Sequence, residues 1–265
     1  MKKIAEKFKE LKTQNKTALI GYLCAGDPNY QTSLEALKSM PKSGCDIIEL
    51  GIPFLDPAGD GPTIQAASER AIANGMTLKK TLEMVTEFRK TNSKTPLILM
   101  GYFNPILKFG LDKFFLEAEK CGVDGVLIVD LPFEEEDEII AEIKKTNLDL
   151  IHLIAPTTSQ ERMQKITKNA GGFLYLISML GVTGSKLASA SENQENLNNL
   201  RQISNLPIAI GFGIQNEKQA KEFSKIGADA VIIGSVFVKI MAEKKSNDEI
   251  IKSLQEKISQ FKENL

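Results

Sequence analysis

Eight short apolar runs recur along this chain at a regular beat, at positions 18–25, 46–52, 97–102, 125–131, 150–155, 173–179, 208–212 and 230–236. Most are nearly continuous rather than alternating, which is the pattern of parallel strands buried on both faces. Segments of helical period lie between them. Leu111, Phe114, Phe115 and Ala118 follow i, i+3, i+4, i+7, and Leu197, Leu200 and Ile203 repeat the stripe. Ile139, Ile140 and Ile143 follow the acidic stretch 134–138, which suits a helix N-terminus. Ile250, Ile251, Leu254, Ile258 and Phe261 mark a long C-terminal amphipathic helix, with Ser246-Asn247-Asp248 offering its cap. Strands alternating with helices pair in parallel, in a closed barrel or an open doubly wound sheet. The count of eight, the 265-residue length and the lack of a Pro/Ser-rich linker favour a single TIM (β/α)8 barrel domain over residues 1–265. The long helical segment 62–92 predicts an extra helix. Residues 1–14, with Ile4, Phe8 and Leu11 at helical spacing, predict an N-terminal helix capping the barrel floor.

Composition narrows the function. Lys plus Arg is 33 and Asp plus Glu is 34, a balance that argues against an electrostatic nucleic-acid or membrane binder. Cys24, Cys45 and Cys121 form no CxxC pair, so neither a disulfide framework nor a zinc site is signalled. A reducing cytoplasm is the expected compartment. The N-terminal segment lacks the apolar stretch of a signal peptide, and no run approaches the ~18 apolar residues of a membrane span.

In a (β/α)8 barrel the chemistry sits at the C-terminal ends of the strands. The second run reads Ile47-Ile48-Glu49-Leu50-Gly51. A carboxylate inside an apolar strand is costly to bury. Pointing inward it becomes an acid or base with a raised pKa; otherwise it is half of a structural ion pair. The loop that follows carries Asp56 and Asp60 among Gly and Pro. Asp56 reads as a turn or partner-contact residue. Asp60, taken alone, reads first as a cap for the helix starting near Pro62. Gly211-Phe212-Gly213 ends the seventh run and Gly234-Ser235 stands in the eighth, each before a helix. Glycines at these two loops allow backbone amides to approach an anion, which points to a phosphorylated substrate. The small, polar stretch Gly181-Val182-Thr183-Gly184-Ser185 reads as an ordinary loop or, from its position over the mouth, as a mobile lid. Tyr175 reads as core packing or as a group at the mouth.

Other chemistries find no residues. The sole histidine, His152, cannot make a metal cluster and reads as a satisfied core residue. No lysine lies in any run, so a Schiff-base aldolase lacks its nucleophile. No GxSxG elbow or GxGxxG fingerprint is present. Carboxylate acid–base chemistry on a small phosphorylated molecule is left.

The segment Glu49-Leu50-Gly51-Ile52-Pro53-Phe54-Leu55-Asp56-Pro57-Ala58-Gly59-Asp60-Gly61-Pro62-Thr63-Ile64-Gln65 closely resembles the signature of the tryptophan synthase alpha chain family. Gly21, Ala25-Gly26-Asp27-Pro28, Tyr175, Gly181-Val182-Thr183-Gly184, Gly211-Phe212-Gly213 and Gly234-Ser235 extend the resemblance over essentially the whole chain, in the same order. The resemblance implies a lyase that cleaves indole-3-glycerol phosphate to indole and glyceraldehyde 3-phosphate by a retro-aldol step. It implies that Glu49 transfers the proton at the reacting carbons and that Asp60 holds the indole N–H. Tyr175 and Thr183 would help position the substrate. Gly184, Gly211, Phe212, Gly213, Gly234 and Ser235 would hold its phosphate, and Tyr22, Met100, Leu127 and Phe212 would line the indole pocket. It implies a beta-chain partner in an alpha-beta-beta-alpha complex, contacted through Asp56. Pyridoxal phosphate is expected only in that partner, with no cofactor and no metal in this chain. The family loop usually reads Phe-Ser-Asp-Pro-Leu-Ala-Asp, so Leu55, Ala58 and Gly59 depart from it. An Arg usually precedes the Gly-Val-Thr motif, where this chain has Met179-Leu180. The competing readings are a non-catalytic regulatory subunit that activates a beta chain, and another phosphate-sugar barrel enzyme such as an isomerase.

Overall fold

The computed structural model describes residues 2–178 and 190–265. Its strands are β1 (Ala18–Cys24), β2 (Ile47–Gly51), β3 (Leu97–Gly101), β4 (Gly125–Ile128), β5 (Asp149–Ile154), β6 (Leu174–Ile177), β7 (Ile208–Gly211) and β8 (Ala230–Ile233). All pair in parallel in chain order, and β8 closes onto β1 through Ala18↔Ala230 and Leu19↔Val231. The helices among the described residues are α1 (Lys3–Thr13), α2 (Tyr30–Ser43), α3 (Pro62–Ala73), α4 (Leu78–Arg89), α5 (Phe103–Phe109), α6 (Leu111–Cys121), α7 (Asp137–Ile143), α8 (Gln160–Ile166), α9 (Ala190–Ile203), α10 (Glu217–Lys225), α11 (Ser235–Met241) and α12 (Asn247–Lys262). The expected barrel is therefore present. The extra helix after β2 is there as the pair α3 and α4, and α5 is a further short insertion.

Local chemistry explains the boundaries. Ser246 caps α12 through a complete capping box with Glu249. Asn29, Thr77, Ser159 and Asn216 accept backbone N–H bonds at the starts of α2, α4, α8 and α10. Two strands are shorter than their apolar runs. The run 125–131 leaves the ladder after Ile128, and 230–236 gives way at Gly234 to α11. In both, the apolar residues continue beyond the point where strand pairing stops.

The floor is closed by α1, which buries Ile4, Phe8 and Leu11. The Phe8 and Phe173 rings lie 5.9 Å apart. Gly125 and Gly172 make room for the Ile4 side chain, whose Cδ1 is 3.2 and 3.3 Å from where a Cβ on each would stand. No described helix is long and apolar enough to cross a membrane.

Candidate active site at the barrel mouth

Register decides which side chains share the barrel interior. Tyr22 pairs with Glu49, Gly51 with Met100, and Met100 with Leu127. Around the other side, Leu153 pairs with Tyr175 and Tyr175 with Ala209. Partners in a parallel ladder face the same way, and residues two apart on a strand share a face. Burial and the charge of Glu49 both push up the Tyr175 hydroxyl on β6, and the same carboxyl acts on Tyr22. One group can act on β1 and on β6 because all three side chains point inside.

Glu49 is buried, and its Oε1 has no hydrogen-bond partner among the described residues. Burial, and then the charge of Asp60, raise its pKa to about 8. Asp60 is also buried, and burial raises its pKa to about 6 while the nearby Tyr102 hydroxyl holds it down. Asp60 does not cap α3. Gly61 is the N-cap and makes no side-chain cap bond. The carboxyl of Asp60 is turned to the mouth instead, and its carbonyl accepts from Gln65 Nε2 at 2.8 Å.

Glycines at the mouth make room for tyrosines. A Cβ at Gly51 would stand 2.2 Å from the Tyr22 hydroxyl, and one at Gly211 would stand 2.4 Å from the Tyr175 hydroxyl. Tyr175 packs on Phe212 at 5.6 Å. Phe212 and Gly213 both have positive φ, +69° and +74°, so the chain makes a tight left-handed turn as it leaves β7. Ser178 locks that turn. Its Oγ donates to the carbonyls of Gly211, at 2.7 Å, and of Phe212. Gly234 is the N-cap residue of α11 and Ser235 is its first residue, so both stand where helix amides point outward. Met100 and Leu127 are buried beside the carboxylates. A cavity of about 490 Å³ opens on the β4–β5 side, lined in part by Val129, Glu136, His152, Leu153, Arg162 and Ile177, and neither Glu49 nor Asp60 lines it.

Glu49, Asp60, Tyr22, Met100, Leu127, Tyr175, Gly211, Phe212, Gly213, Gly234 and Ser235 thus all stand at or just below one end of the barrel. Asp56 lies on the exposed part of the loop, next to Leu55, which is 65% exposed. Thr183 and Gly184, with Met179 and Leu180, lie outside the described residues. His152 is buried on the other face of β5, where Nε2 meets Glu136 and Nδ1 lies 3.2 Å from the Leu150 carbonyl. It is a satisfied structural residue, as expected. Sequence reasoning missed Tyr102 and Ser178. The only hint of Tyr102 was a hydroxyl-bearing residue at the very end of an apolar run.

A closed parallel barrel with two buried carboxyl groups at its C-terminal mouth, neither paired to a cation among the described residues, has the architecture of the (β/α)8 barrel enzymes. Comparison with known proteins narrows the class. The family model for the tryptophan synthase alpha chain matches residues 8–265. A tryptophan synthase alpha chain of Gluconobacter oxydans (strain 621H) is 46% identical over 249 residues, 94% of this chain and 92% of its own length. Tryptophan synthase subunit alpha of Legionella pneumophila superposes with a TM-score of 0.90 at 36% identity, covering 100% of this chain and 98% of that one. A chain of the tryptophan synthase complex from Pyrococcus furiosus gives 0.83 at 36% identity, over 92% of this chain and 97% of its own. This chain belongs to the tryptophan synthase alpha chain family. Its activity is that of a lyase on indole-3-glycerol phosphate.

Proposed function

We propose that Glu49 and Asp60 divide the acid–base work of that reaction between them, and that the unpaired, buried Glu49 carboxyl carries it. With a pKa near 8, Glu49 holds its proton at neutral pH, whereas Asp60, near 6, is ionised. Two carboxyl groups pushed apart in this way take different roles. Glu49 gives its proton to indole C3, and the ring becomes an indolenine with positive charge on nitrogen. Asp60 accepts the indole N–H and stabilises that charge. The carboxylate left on Glu49 then takes the proton from the side-chain hydroxyl next to the breaking bond. The C–C bond breaks, its electrons return to the ring, and indole and the aldehyde phosphate separate. Glu49 ends as it began, protonated.

Tyr22, Met100, Leu127 and Phe212 form the apolar walls for the ring, with Tyr175 and Thr183 orienting the substrate. Gly184, Gly211, Gly213, Gly234 and Ser235 supply amide and hydroxyl donors to the phosphate. Support comes from the left-handed turn locked by Ser178 and from the helix start at Gly234-Ser235. The chain hands indole to a beta chain in an alpha-beta-beta-alpha complex, with exposed Asp56 and Leu55 on the docking side. Pyridoxal phosphate belongs to that partner, and this chain holds no cofactor. The cytoplasm is where the complex works.

The test is an indole-release assay on indole-3-glycerol phosphate, with and without added beta chain. Glu49→Gln and Asp60→Asn are expected to abolish release while the far-ultraviolet dichroism stays native. Release by either variant at the parent rate would reject the division of roles between the two carboxyl groups.

A further inference from the structure

Gly59 stands directly before Asp60 in the loop after β2, and the structure gives a reason for its lack of a side chain. A Cβ at Gly59 would stand 2.8 Å from Val129 Cγ1 and 3.4 Å from the Tyr102 hydroxyl. The obstacle is space rather than backbone conformation, because Gly59 is not among the residues with positive φ. Val129 borders the 490 Å³ cavity, but its backbone is held in place. It is β-branched, and its N–H is bonded to the Gly101 carbonyl at 2.9 Å, directly after β4. Its neighbour in the contact is also tied down. The Gly59 N–H donates to the Tyr102 hydroxyl at 3.1 Å, and burial and the Asp60 carboxyl beside that hydroxyl push its pKa up. The Phe54 ring packs on Tyr102 at 5.5 Å.

We propose that Gly59 and Val129 are a matched steric pair: the valine methyl fills the place of the missing Cβ, and this fit seats the loop so that Tyr102 and Asp60 meet. Both are positioning residues, acting on the reaction through Asp60. The inference rests on the proposed role of Asp60 in holding the indole N–H. Gly61 is the internal contrast, since a Cβ there would meet nothing within 4 Å.

The test is a double-mutant cycle on kcat for indole formation. Gly59→Ala is expected to lower kcat by about tenfold or more, since small displacements at a catalytic group are costly. Its acid limb moves to higher pH as the Tyr102 contact that holds Asp60 down is weakened. Adding Val129→Ala is expected to restore kcat to within about threefold of the parent and to return the acid limb. Gly61→Ala leaves both unchanged. A folded Gly59→Ala variant with parental kcat and pH profile, or a double variant no better than the single one, would overturn the pairing. If Asp60→Asn itself keeps parental activity, the role of Asp60 falls. The pair is then judged by thermal stability alone: non-additive melting shifts of the two substitutions uphold it, and additive shifts reject it.

Discussion

At the floor of the barrel, Asp46 and Asp124 stand just before β2 and β4 and are each tied to a backbone N–H and a cation. Asp46 accepts the Leu19 N–H at 2.8 Å and pairs with Lys262 at 2.6 Å. Asp124 accepts the Leu97 N–H at 2.9 Å and pairs with Arg89 at 2.6 Å and Lys3 at 3.1 Å. At the mouth, Glu49 and Asp60 are buried with no cationic partner among the described residues, and Glu49 Oε1 has no hydrogen-bond partner among them. A buried carboxylate that bridges a strand start to a cation holds the fold together. One left unpaired in an apolar setting has its proton affinity raised and becomes available for chemistry.

Substitutions at the two ends should separate these roles. The largest expected effect is at Glu49. Glu49→Gln lowers kcat for indole formation by about 10³-fold or more, measured by single-turnover product release. Tyr102→Phe removes one hydroxyl at the mouth and is expected to lower kcat by about tenfold, with melting nearly unchanged. At the floor, Asp124→Ala should do the reverse. It leaves the Leu97 N–H and the Nη2 of Arg89 without their partner and costs about 3 kcal/mol in urea unfolding, with kcat unchanged below the transition.

The pH dependence of the Glu49→Gln stability is the most diagnostic of the difference. Glu49 keeps its proton to about pH 8 when folded but releases it near 4.5 when unfolded. Between those values the folded state binds more protons, so stability falls as pH rises, and the loss is complete above about pH 8. Glu49→Gln removes that titration. The variant is expected to gain stability over the parent progressively from pH 5 to 8, by on the order of a few kcal/mol, and to keep a constant gain above. A gain that does not change with pH would count against a raised Glu49.

The barrel was legible because its strands are buried on both faces, so each appears as an apolar run with helical stripes between. Strand ends were less so. Val129 and Val236 extend their runs, but the first faces Gly59 and the second lies in α11. Glu49 stood out because its strand offers no other charge. Asp60 did not, since its spacing to Pro62 suits a cap equally well and only the folded loop turns it inward. Tyr102, Ser178 and the Gly59–Val129 contact join segments far apart in sequence, and no local pattern encodes such meetings. The same holds for Glu136, the partner of His152.

What sets the mouth apart is a pair of buried carboxyl groups whose pKa values are both raised, Glu49 to about 8 and Asp60 to about 6. The pH dependence of kcat/KM for indole formation reads both groups at once. A bell is expected, with its acid limb near 6, set by Asp60, and its alkaline limb near 8, set by Glu49. A profile flat from pH 5 to 9 would mean that the two groups do not divide the proton in this way.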